Sequence, residues 1–236
     1  MQLQEIFEQL SGGEFSQLSI GGAGAGVIDN TNYAKVTSHI NLGLMALHRR
    51  FNLKEGRLVL SMQPEQTLYH LKSANSVTGA EIGVTPFIID SLEDPFLDDI
   101  LKIEKVIDAE GWEIGLNDPS DSLSVSTPSA LKLRVPEELE TQDLTVVYRA
   151  AHPKLVVDSE TIPSEVEVVL PDSHLDALLY YVASRVNNPI GMTNEFHAGN
   201  SYAAKYEMAC QELEGNGLEV DHGSQTNERA SRGGWV

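Results

Sequence analysis

The stretch Pro171-Asp-Ser-His-Leu-Asp-Ala-Leu-Leu-Tyr-Tyr-Val-Ala-Ser-Arg-Val186 decides the fold class. Leu175, Leu178, Leu179, Val182 and Val186 stand at steps of three and four, which gathers their side chains on one helical face, and Asp172 stands where an N-cap belongs. A helix to about Asn188 is expected. Asn188-Pro189-Ile190-Gly191 breaks it, and Thr193 then caps a second helix carrying Phe196, Gly199, Ala203, Tyr206, Cys210 and Leu213, stopped at Gly215. Residues 215–236 lose all apolar periodicity until the closing Gly233-Gly234-Trp235-Val236, so they read as a flexible tail with an apolar tip.

Upstream of Pro171 the period is different. Leu58, Leu60 and Met62 alternate with other residues, as do Thr67, Tyr69 and Leu71 beyond the turn Gln63-Pro64-Glu65-Gln66, which predicts a hairpin. Runs rich in β-branched residues follow at 84–89, 100–107, 130–135, 144–149 and 165–170, separated by turn clusters such as Leu116-Asn117-Asp118-Pro119-Ser120. For 98–108 a helix remains open beside the strand, because Ile100, Ile103 and Ile107 also fit helical spacing. At the start of the chain, Leu3, Ile6, Phe7 and Leu10 make a short amphipathic helix that stops at Gly12-Gly13. Residues 11–30 read as loop, and Thr31 or Asn32 caps a long helix through Val36, Ile40, Leu44, Leu47 and Phe51. Helices on both sides of a β-rich middle make the chain α+β. The expected architecture is a bundle of helices from 1–54 and 171–214, an inserted β-rich module at 55–170, and the tail 215–236.

The chain has 236 residues with 16 Lys or Arg against 35 Asp or Glu, a net charge of −19. Such an excess leaves no broad basic face for sequence-specific binding to nucleic acid or adhesion to an anionic membrane. The longest apolar run, Ala177–Ala183, falls far short of the ~20 residues of a spanning helix. The start MQLQEIFEQL has no cationic or apolar signal character, and the lone Cys210 has no disulfide partner, so synthesis in a reducing cytoplasm is expected.

The residues that carry chemistry elsewhere lack their patterns here. Gly21-Gly-Ala-Gly-Ala-Gly26 follows no strand and has Val27 where a dinucleotide fingerprint needs its third glycine, and no Gly-Lys-Ser/Thr is present. None of the seven histidines stands in a metal-ligand spacing, although His39 with Asn41, or His174 with Asp176, has the separation to meet in space. Cys210 falls on an apolar helical face, where a thiol is an inert hydrophobe. No catalytic residue, cofactor or metal is expected. The acidic cluster Asp90, Glu93, Asp94, Asp98 and Asp99 lacks the spacing of a calcium loop and reads as a face turned to solvent or to a channel.

Several stretches together resemble the head-to-tail adaptor (connector) proteins of short-tailed bacteriophages. They are Asn41-Leu-Gly-Leu44 with Arg50-Phe51, Val147-Tyr-Arg-Ala150 before His152-Pro153, Leu178–Arg185, Asn188-Pro-Ile-Gly191, Gly199–Glu207 and the terminal Arg232-Gly-Gly-Trp-Val236. The resemblance covers most of the chain. It implies a non-enzymatic virion protein that forms a twelve-membered ring beneath the portal protein, lets DNA pass, and receives a tail nozzle or tail tube protein on its other side. It also implies a portal-docking tail, here Arg229, Arg232, Trp235 and Val236. Two rivals from other classes stand beside it. One is a cytoplasmic enzyme or small-molecule binder with a pocket between bundle and β module. The other is a carbohydrate-binding tail component using exposed rings such as Trp112 and Tyr69.

Overall fold

A computed structural model describes residues 1–18, 20, 24–80, 83–139, 143–158, 160–187 and 193–217, with the side chains of 193–198 excepted. Among them are four α-helices, α1 (Leu3–Gly12), α2 (Tyr33–Arg50), α3 (Leu175–Val186) and α4 (Thr193–Gly215). The strands are β1 (Glu55–Leu60), β2 (Leu68–His70), β3 (Ile88–Ile89), β4 (Ile100–Ile107), β5 (Glu113–Ile114), β6 (Ser126–Ser129), β7 (Lys132–Arg134) and β8 (Leu144–Ala150). They form two antiparallel sheets, one ordered β3-β1-β8-β4-β5 and the other β2-β7-β6. The chain is mixed α and β.

Apolar side chains gather in two clusters. One joins both ends of the chain: Leu3, Ile6 and Leu10 of α1 and Ile40, Leu44 and Leu47 of α2 pack with Leu178 and Val182 of α3 and Cys210 and Leu213 of α4. The other, from Leu58 to Ala150, belongs to the sheets. At the crossing of α2 and α3, Gly43 lets the helices approach closely; a Cβ there would lie 2.6 Å from Leu178 Cδ1. The middle of α4 is held to α3 by the Tyr181–Tyr206 ring pair, 5.2 Å between centroids, and its second half to α2 by Arg50, which pairs with Glu207 at 2.7 Å and Glu214 at 2.6 Å.

Several expectations need correction. Residues 58–71 are not a hairpin. The turn forms, with Gln66 N–H donating to Gln63 O, but its arms part: β1 pairs with β3 and β8, while β2 pairs with β7 in the other sheet. Residues 165–170 join neither sheet. Their extended backbone pairs instead with the start of the chain, Leu3 N–H to Val166 O and Val168 N–H to Met1 O, both at 2.9 Å, so that Val168 and Leu170 pack into the helical cluster. The β-rich region expected over 55–170 therefore has its last strand ending at Ala150. Within 98–108, Ile100–Ile107 form a strand and not a helix.

The expected caps also differ. Asn32 precedes α2, but its amide bridges the loop before it, accepting from Asp29 N–H and donating to Ile20 O. Asp172 opens a 3-10 turn, Asp172–His174, and α3 begins only at Leu175. The loop over 11–30 does more than connect, since Phe15 and Ile20 are buried in the helical core. Gly21, Gly22, the bend Asn188–Gly191 and the tail from 218 onward lie outside the described residues.

Candidate functional site

The acidic cluster follows β3, and the five carboxylates take different surroundings. Asp90 accepts hydrogen bonds from the Thr78 amide, the Thr78 hydroxyl and the Phe96 amide. Burial alone would raise its pKa, but these donors outweigh that penalty and hold the carboxyl at about 2. Asp98, in the left-handed backbone region at φ 56°, accepts from the Ser73 amide at 2.6 Å and hydroxyl at 2.7 Å. Asp99 pairs with Lys54 at 2.8 Å and accepts from the Tyr148 hydroxyl at 3.0 Å. Glu93, Asp94 and Asp98 are exposed, whereas Asp90 and Asp99 are half-buried.

The expected solvated face therefore needs correction at Asp90 and Asp99. These two clamp the loop to its surroundings, and of the five only Asp99 makes an ion pair with a described residue, while Glu93 and Asp94 project into solvent. Beside them lies a cleft of about 540 Å³ whose walls include Lys54, Arg57, Asp94, Phe96, Asp99 and Tyr148. Burial, then Asp99 and Asp94, push the Tyr148 phenol above its ordinary range, which keeps it protonated at neutral pH.

A second feature lies beside α2, next to His152. The Asn41 side chain grips the backbone of Leu155 from both ends, its amide donating to Leu155 O and its oxygen accepting from Leu155 N–H, each at 2.9 Å. This clamp lays residues 154–157 beside α2 and leaves an apolar groove of about 570 Å³ between them. Val156 is 80% exposed along its edge and Leu42 43%.

Between the helical core and the sheet lies a seam lined by histidines. His48 Nδ1 is 3.1 Å from Ala150 O, and its Nε2 is buried without a partner among the described residues. His152 donates from Nδ1 to Pro153 O and accepts at Nε2 from Val169 N–H. The two rings meet edge to face at 5.6 Å, and His174 packs edge-on against Phe51 at 4.8 Å. Burial is the main cause that lowers all three pKa values, that of His48 to about 4. In the same seam Arg149 donates to Arg49 O at 2.9 Å, and Ala150 N–H donates to Lys54 O at 2.8 Å.

Residue patterns identified neither the groove nor the seam. Neither of the pairs singled out by spacing, His39 with Asn41 or His174 with Asp176, is joined by a hydrogen bond; Asn41 is committed to Leu155 instead. Cys210 is fully buried next to Tyr206, and burial raises its thiol. Of the two rings considered for sugar stacking, Trp112 is 70% exposed but Tyr69 is fully buried against Phe87, which removes it from any exposed platform. The tail residues Arg229, Arg232, Trp235 and Val236 lie outside the described residues. Among the described residues no three His, Cys, Asp or Glu side chains converge as metal ligands, and no helix is long and apolar enough to cross a membrane. No protein-family model matches the chain, and no curated protein matches it.

Proposed function

We propose that this chain is a head-to-tail adaptor of a short-tailed bacteriophage, a structural virion protein without catalytic activity. Twelve copies form a ring beneath the portal protein, continue the DNA channel, and present their opposite side to a tail nozzle or tail tube protein. In this reading the four helices, drawn from both ends of the chain, are the bundle of each wedge-shaped subunit, and the β-rich region is an inserted module.

The observation that carries the reading is the seam. Arg50-Phe51 and Val147-Tyr-Arg-Ala150 with His152, which are two of the stretches behind the resemblance, meet where the helical core joins the sheet. They are separated by about 100 residues, as the Arg149–Arg49 bond shows, so their meeting is a property of the fold and not of local sequence. The net charge of −19 supports the same reading. A like-charged lumen repels phosphate, and DNA then slides past without adhering.

Residues 229–236 attach the ring to the portal in this account, with Arg229 and Arg232 facing portal carboxylates and Trp235 and Val236 entering an apolar pocket. A buried indole anchor is typically worth ~2 kcal/mol or more, and every subunit repeats the contact. A chain lacking 229–236 should fold and remain soluble but lose co-sedimentation with its cognate portal. Attachment equal to that of the full chain would remove the docking role from the tail.

A further inference from the structure

The loop that follows β3 exposes two leucines, Leu92 at 90% and Leu97 at 61%. Single exposed leucines are ordinary, but these two stand on a loop held in shape. Asp90, at its start, is bonded to Phe96 near its end and to Thr78 outside it, and Asp98, just past its end, is bonded to Ser73. Fixing the loop in advance lowers the entropy lost when it docks, so these leucines make a preorganised apolar knob. Glu93 and Asp94 flank it, exposed and without an ion pair to any described residue.

The groove beside α2 has the opposite character. Acidic residues outnumber basic ones 35 to 16 in the chain, yet no carboxylate is present among the described residues lining the groove, and its one charge is Lys154. Lys154 is exposed and pairs with no described carboxylate. An apolar trough with one cation is complementary to an apolar knob with two anions. Both are present on every copy.

We propose that the 91–97 loop of one copy seats in the α2 groove of the next, Leu92 and Leu97 entering between Leu42, Met45 and Val156 while Glu93 and Asp94 approach Lys154. Because knob and groove are different surfaces of one chain, the contact is heterologous, and its repetition generates a closed ring when the rotation closes. The inference rests on the ring reading and supplies the contact between its neighbours. Apolar burial holds the joint, and the charges set its register.

Cross-linking tests it on the full chain. Leu92→Cys and Val156→Cys place one new thiol on the knob and one on the groove, both exposed, while the buried Cys210 stays silent. With a bismaleimide linker the double variant should give a ladder of covalent oligomers on a denaturing gel, whereas each single variant should stop at dimer or remain uncoupled. Adding Lys154→Glu to the double variant should reduce the ladder at least fivefold, and reversing Glu93 and Asp94 to Lys should restore it. No ladder from the double variant, or equal ladders from the single ones, would overturn the proposal. A ladder from a chain that never attaches to a portal would leave this contact standing and remove the adaptor reading. Portal-bound rings formed without the ladder would do the reverse.

Discussion

Acidification from pH 7.5 to 4.5 should cost the protein roughly 2 to 3 kcal/mol of folding stability through His48 alone. The Ala150 carbonyl accepts only, so Nδ1 of His48 holds the proton and the neutral ring leaves Nε2 in a dry site with no acceptor. A proton added there meets His152, Lys54 and His174 and no compensating carboxylate. The folded pKa, about 4, lies below the unfolded value of 6.5, so the unfolded chain binds more protons as the pH falls between them. Stability is complete above about 6.5, declines through that window, and levels off below about 4.

His152 and His174 act in the same direction. At His152 a second proton would face the Val169 N–H, which already occupies Nε2. Asp90, held at about 2, loses its contribution only below the ordinary carboxylate range and does not enter the window. Falling net charge relieves self-repulsion and opposes the histidines, so the informative quantity is a difference. Urea unfolding of the wild type and of His48→Gln at pH 7.5 and 4.5 should show the variant losing less on acidification by ~2 to 3 kcal/mol. Equal losses in the two proteins would place the pH dependence elsewhere.

The second large effect lies where α2 crosses α3. Leu178 is fully buried, and Leu178→Ala should cost roughly 3 to 5 kcal/mol through lost transfer energy and the cavity left behind. Its neighbour Gly43 should respond with a change of sign. In the wild type a Cβ at Gly43 stands 2.6 Å from Leu178 Cδ1 and 3.1 Å from Tyr181 Cδ1, so Gly43→Ala crowds the crossing and costs about 1 kcal/mol net despite alanine's better helix propensity. In the Leu178→Ala background the same change enters vacated space and should stabilise by about 1 kcal/mol. A double-mutant cycle by urea unfolding measures this coupling. Identical effects of Gly43→Ala in both backgrounds would contradict the packing described at the crossing.

The helices were legible in the sequence because their apolar faces repeat at steps of three and four, and Gly12 and Gly215 mark the ends of α1 and α4. The strand β4 was ambiguous for a physical reason. Two bulges, at Leu101 and Glu104, insert extra residues opposite β8, so β4 buries Ile100, Ile103 and Val106 while β8 keeps Ala150, Tyr148 and Val146 at period two. A strand bulged at every third residue imitates a helical face. The turn at 63–66 was legible, but the partners of its arms were not, because β8 and β7 come from far along the chain.

The surfaces divide in the same way. Exposure of Glu93 and Asp94 followed from composition, since isolated carboxylates in a turn-rich segment stay in water. Clamping by Asp90 and Asp99 did not, because it depends on Thr78 and on Lys54 and Tyr148. The groove depends on one amide, Asn41, meeting a backbone 114 residues away. The histidine seam likewise needs α2, the end of β8 and the turn before α3 to converge, and no local period marks such a meeting.

The adaptor account is tested most directly by electron microscopy of the full chain mixed with its cognate portal protein. It predicts a twelvefold ring stacked coaxially on the portal, with an open channel running through both. Portal particles that carry no added ring, or that bind the chain as scattered single copies away from the axis, would contradict it.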